Sequence, residues 1–125
     1  MSAGERDLAK LLVGLVVTHR PRRWVFETQA DAPDLSSVAM AFAEVEGWTV
    51  IREAGPDERS AFAWLELSVH SSLEAVGFLA AISTALAGAG VPCNAVAAYH
   101  HDHIFVPEGL VETAISAIEA LRETA

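Results

Sequence analysis

From 75 to 101 the chain carries no Asp, Glu, Lys or Arg. A run of that length has to leave water, either into a bilayer or into the protein's own interior. Gly77, Gly88, Gly90, Pro92 and Asn94 interrupt it, and no Lys or Arg flanks it to fix an orientation across a membrane. A buried helix followed by a buried strand accounts for the same residues, so no membrane span is expected. Behind His70-Ser71-Ser72, the residues Leu73, Val76, Leu79, Ile82 and Leu86 recur at helical spacing. Gly88 and Gly90 end that helix, and Pro92 could not continue it. Val91 to Tyr99 and His103 to Val106 then read as two strands joined across His100-His101-Asp102.

The flanks complete the pattern. Phe62, Trp64, Glu66 and Ser68 alternate with Ala63, Leu65, Leu67 and Val69, which is a strand with two different faces. Pro107 and Glu108 open a last helix whose apolar stripe is Val111, Ala114, Ile115, Ile118 and Leu121. The order strand, helix, strand, strand, helix predicts a split βαββα unit, an α+β ferredoxin-like fold.

The first half is less regular. Leu8, Leu11, Leu12 and Leu15 predict an amphipathic helix over 5–17, with Asp7 suited to its positive end. His19 to Arg23 reads as a turn held by Pro21, Trp24 to Thr28 as a strand, and 29–37 as a loop. Residues 38–42 fit a buried helix or a short strand, and a hairpin through Glu44 to Gly47 with 48–53 is preferred. Gly55-Pro56, in the polar connection 54–59, marks the expected boundary between a degenerate half, 1–59, and a complete one, 60–125. The strands of both are expected in one antiparallel sheet with the helices on one face.

At 125 residues the chain can bury a core without covalent staples, and Cys93 has no second cysteine to pair with. The N-terminal segment lacks the apolar stretch of a secretory signal, so a cytoplasmic location is expected. Formal net charge is −9, and no Lys or Arg occurs from 60 to 121. That distribution argues against nucleic acid as a partner, because a basic face is needed to neutralise phosphates. Arg20, Arg22 and Arg23 cluster around Pro21, and a solvated loop is preferred to a local anion or partner-contact site.

Val76-Gly77-Phe78-Leu79, then Gly90-Val91-Pro92-Cys93-Asn94, then Asp102-His103-Ile104-Phe105-Val106 resemble the ACT domain of the aspartate-kinase type. More narrowly, His70 to Gly77 and Tyr99 to Pro107 look like small bacterial tandem ACT proteins of unassigned function, related to the ACT repeats of the arginine sensor of the eukaryotic growth-control pathway. Trp24-Val25-Phe26 and Glu46 to Val50 resemble the first half of that family. The resemblance implies a regulatory module that binds a small molecule, most naturally an amino acid, at a seam between units, with no chemistry or cofactor of its own and with a tendency to homo-oligomerise. By position it implies ligand contacts from Ser71, Ser72, Val76, Gly77 and Phe78 at the start of the helix, from Asn94 at the facing strand, and from Asp102 at the next turn.

The residues support such a site independently. A helix start leaves N–H groups unsatisfied and partially positive, which suits a carboxylate. Gly77 allows close approach to the backbone, Asn94 offers a donor and an acceptor, and Asp102 can receive an ammonium. Against this, Glu74 lies near the same helix start, Gly77 could serve close packing alone, and Asn94 could serve a turn.

Two other chemistries compete for these residues. In an extended segment His101 and His103 would share a face, a spacing able to hold a metal, with His70 as the one further imidazole; two ligands are too few, so no metal is expected. His103 is expected to hydrogen-bond within the sheet or between subunits. Ser71 or Ser72 beside His70 makes no triad, and Cys93 lies in an apolar stretch with no basic neighbour, so no enzyme is expected. The principal alternative to ligand binding is a structural domain that dimerises and binds nothing small.

Overall fold

The computed structural model describes residues 4–124. Helix α1 spans Leu8–Val13, α2 Phe78–Gly88 and α3 Val111–Glu119. The strands are β1 (Val17–Gln29), β2 (Met40–Glu44), β3 (Gly47–Glu53), β4 (Phe62–Leu67), β5 (Asn94–Ala97) and β6 (Asp102–Pro107). All six pair antiparallel in one sheet, in the order β2-β3-β1-β4-β6-β5.

The period-two pattern of β4 sets the two faces of this sheet. Ala63, Leu65 and Leu67 point to the helical side, where they join Ile104 and Val106 of β6, Phe78, Ile82 and Leu86 of α2, and Ala114 and Ile118 of α3. Leu11, Leu12 and Leu15 from the N-terminal segment complete the same core. Trp64 points the other way, beside Ile51 and Phe105, with Trp24, Met40, Phe62 and Val96 around them. No helix of the described residues is long and apolar enough to cross a membrane.

The preferred hairpin is present: Met40–Glu44 pairs with Gly47–Glu53 in a register that sets Glu44 opposite Gly47. Three local expectations are corrected. The first helix is short, ending at Val13, although Leu15 beyond it is still fully buried. The expected turn at 19–23 is part of β1, whose register against β4 shifts between Arg20 and Trp24. Arg22 takes φ +78° there, so the residues around Pro21 form a bulge, a place where a sheet accepts proline. The third correction concerns α2, which begins at Phe78 rather than behind Ser72. Leu73 and Val76 therefore lie outside it and are 63% and 83% exposed.

The late start of α2 has a tertiary cause. Glu5 N–H donates to His70 O at 2.8 Å and Ser72 N–H donates to Glu5 O at 2.8 Å, a parallel bridge that holds 70–72 extended. A separate turn closes behind it, with Ala75 N–H donating to Ser72 O at 3.0 Å and Glu74 N–H to Ser72 Oγ at 3.1 Å. Gly77 then reverses the backbone at φ +93° and the helix starts.

Candidate functional site

Among the described residues the buried polar side chains are Ser71, Ser72 and Asp102, and all three meet at the mouth of α2. Two devices bring them there. The bridge to Glu5 fixes Ser71 and Ser72. Asp102 opens β6 opposite Ala97 of β5, so its position follows from the hairpin register. It is 4% exposed and accepts a hydrogen bond from Ser71 Oγ at 2.7 Å. A buried carboxylate needs such donors to stay in place.

Gly77 takes the N-cap position of α2 in a left-handed conformation, and no side chain caps this end of the helix. The first-turn N–H groups thus face a small cavity of about 140 Å³, walled by Ser71, Ser72, Gly77, Phe78, Ala97 and Asp102 among others. A partially positive helix end and a buried carboxylate line the same space, complementary to the two ends of a zwitterion. Glu74 does not obstruct it. Its carboxylate is exposed and stands 3.9 Å from Arg6.

Five of the seven residues expected at a site are therefore together: Ser71, Ser72, Gly77, Phe78 and Asp102. Val76 and Asn94 stand apart from them. Val76 projects into solvent, and Asn94 Nδ2 donates to Phe105 O at 3.3 Å on the far side of β5. Sequence reasoning missed Ala97 and the small residues Ala75 and Ala80 that line the cavity. Ala97 was within reach, since pairing the strands around the 98–101 turn places it across from Asp102.

Several other polar groups are committed to internal contacts, although His70 Nε2 is buried without a hydrogen-bond partner among the described residues. Trp64 Nε1–H donates to His103 Nδ1 at 2.9 Å, a bond across the β4–β6 pair that requires an unprotonated Nδ1. Burial, the largest influence on this imidazole, lowers its pKa. Among the described residues no three His, Cys, Asp or Glu side chains gather in a way that could hold a metal ion. Ser71 Oγ is bonded to Asp102 rather than to His70, and burial raises the pKa of the Cys93 thiol, away from the reactive thiolate. The arginines around Pro21 each meet a carboxylate: Arg20 meets Glu66 at 3.0 Å, Arg22 meets Glu53 at 2.9 Å, and Arg23 meets Glu108 at 3.0 Å. Arg20 also lies 4.1 Å over the Trp64 ring.

Two family models, both described as ACT domain, match the chain at residues 3–63 and 59–120. Among solved structures, a Vibrio cholerae protein of unknown function, described as a possible transport protein, is 35% identical; the match covers 92% of this chain and 95% of that one, with a TM-score of 0.80. A protein from Agrobacterium tumefaciens is similar in fold at 8% identity and TM-score 0.64, over 85% of this chain and 87% of that one. The aspartate kinase of Clostridium acetobutylicum, described as an allosteric enzyme, matches 86% of this chain with 34% of its own length, at 13% identity and TM-score 0.63. No curated protein matches the sequence.

Proposed function

The chain belongs to the ACT-domain family, with two such domains in tandem, and from that premise we propose that it is a non-catalytic regulatory module that binds an amino acid at the mouth of α2. The units are assigned to 1–59 and 60–125, and the setting to the cytoplasm. One observation carries the reading: the buried polar side chains Ser71, Ser72 and Asp102 converge on a helix start that no side chain caps. Ser71 and Asp102 meet each other, and what is left for a ligand is the remaining acceptor capacity of Asp102 beside the uncapped N–H groups of the helix start.

The ligand's carboxylate takes the N–H groups at 78–80, and its ammonium takes Asp102, with Ser71 orienting that carboxylate. The cavity of about 140 Å³ is smaller than ordinary ligand clefts of roughly 300–1,000 Å³. We propose in addition that a second copy of the chain completes the mouth, which would make the working form a homodimer and couple ligand to assembly.

Thermal unfolding in the presence of each common amino acid tests this. At about 100 times its dissociation constant a true ligand stabilises by about 2.7 kcal/mol. The rise should be lost in Asp102→Asn and in Gly77→Val. If no amino acid raises the transition, or if Asp102→Asn keeps the rise, the proposal fails. A dimer that nothing stabilises would instead favour a structural pairing domain, and a response to divalent metals that His103→Ala abolishes would favour a metal site at His101 and His103.

A further inference from the structure

The face of the sheet away from the helices is aromatic, and none of α1, α2 and α3 packs on it. Trp24 meets Trp64 edge-on at 4.9 Å, Trp64 lies 5.3 Å from Phe105, and Phe26 meets Phe62 at 5.2 Å and Phe105 at 5.5 Å. The sheet is also curled. Strands β2 and β5 are the outermost strands at its opposite ends, yet Met40 and Phe42 of β2 and residues 93–97 line one cavity of about 590 Å³, together with Phe26 of β1.

We propose that this cavity is a second binding site, separate from the mouth of α2, for a small neutral aromatic molecule carrying one hydrogen-bond donor. Its volume lies inside the roughly 300–1,000 Å³ of small-molecule sites. Its walls are the phenyl rings of Phe26 and Phe42 and the thioether of Met40 on one side and β5, with Val96, on the other, and no charged side chain of the described residues lines it. A zwitterion placed there would meet no charged side chain of the described residues, unlike at the helix mouth. Aromatic rings offer the edge-to-face contacts this face already makes within itself. The donor has an acceptor: Asn94 commits Nδ2 to Phe105 O and keeps Oδ1, and β5 is an edge strand whose outer carbonyls meet no neighbouring strand.

The probe is N-phenyl-1-naphthylamine, which is neutral, aromatic and carries one N–H. Its fluorescence should rise to saturation at one molecule per chain, and indole should displace it while tryptophan does not. Val96→Trp fills the cavity and should weaken binding by about tenfold or more. Phe42→Ser removes an exposed ring, 63% accessible, so the chain should fold normally and bind the probe more weakly. Asp102→Asn should leave probe binding unchanged, which separates this site from the proposed amino-acid site. Non-saturable binding, equal binding in Val96→Trp and Phe42→Ser, or displacement by tryptophan as strong as by indole would each overturn the proposal. So would a dimer that binds no probe and dissociates in Phe42→Ser, because the face would then belong to a second copy.

Discussion

Gly77 is at φ +93°, and a Cβ built on it would meet only Leu8 Cδ2, at 3.4 Å. Its necessity is therefore conformational more than steric, since an L side chain is strained in that region. Gly77→Ala should cost about 1–2 kcal/mol in chemical denaturation. A second residue-level expectation concerns acid. The Arg52 guanidinium, which binds both oxygens of Glu58 at 2.7 and 2.9 Å, and then the Gly55 N–H hold the Glu58 carboxyl down at about 2. A carboxyl depressed in the folded state contributes stability above its ordinary value of 4.5, and that contribution is lost as pH falls from there toward 2. A Glu58→Gln variant should show a shallower fall of melting temperature than the parent between those limits. An equal fall in both would contradict the assignment.

At the scale of elements, α2 is held by Phe78, Ile82 and Leu86, not by the two apolar residues that precede it. Leu86→Ala should cost about 2–5 kcal/mol, as for other buried leucines. Val76→Ser should stay within about 0.5 kcal/mol, and equilibrium unfolding of the pair checks both. The same contrast explains what was legible in the sequence. The faces of β4, the β2–β3 hairpin and the stripe of α3 are written in local spacing and form, although α3 begins at Val111, behind a tighter turn over Glu108–Leu110, and ends before Leu121. The start of α2 was misread because Leu73 and Val76 continue its spacing, while the backbone of 70–72 is taken by Glu5, some sixty-five positions away. Likewise β1 passes through Pro21 because β3 and β4 grip it on both sides, which no window around the proline reveals. Of the site residues, Gly77 and Phe78 are placed by the helix start, Asp102 by the β5–β6 register, and Ser71 and Ser72 by the bridge to Glu5. Asn94 does not join them, because its alternation along β5 turns it to the other face of the sheet.

At the scale of the molecule, the two halves share one core and one sheet. Leu11, Leu12 and Leu15 pack among the residues of the second half, and the first part of β1 pairs with β4 from Val17 opposite Leu67 to Arg20 opposite Trp64. Residues 60–125 expressed alone would expose that core and leave β4 as an open edge. They should show no cooperative thermal transition, and mixing them with 1–59 should restore one. The mouth of α2 depends on the same sharing, since Glu5 of the first half positions Ser71 and Ser72 of the second. On the proposed reading, a ligand bound there would stiffen the contact between halves.

Backbone amide NMR during titration with amino acids tests the central claim most directly. One amino acid should shift the N–H signals of Phe78, Leu79 and Ala80 together with those of Ser71 and Asp102, saturably, and Asp102→Asn should remove the response. A set of amide signals at 71–80 that stays unmoved by every amino acid, in a chain that otherwise gives the spectrum of a folded protein, would contradict it.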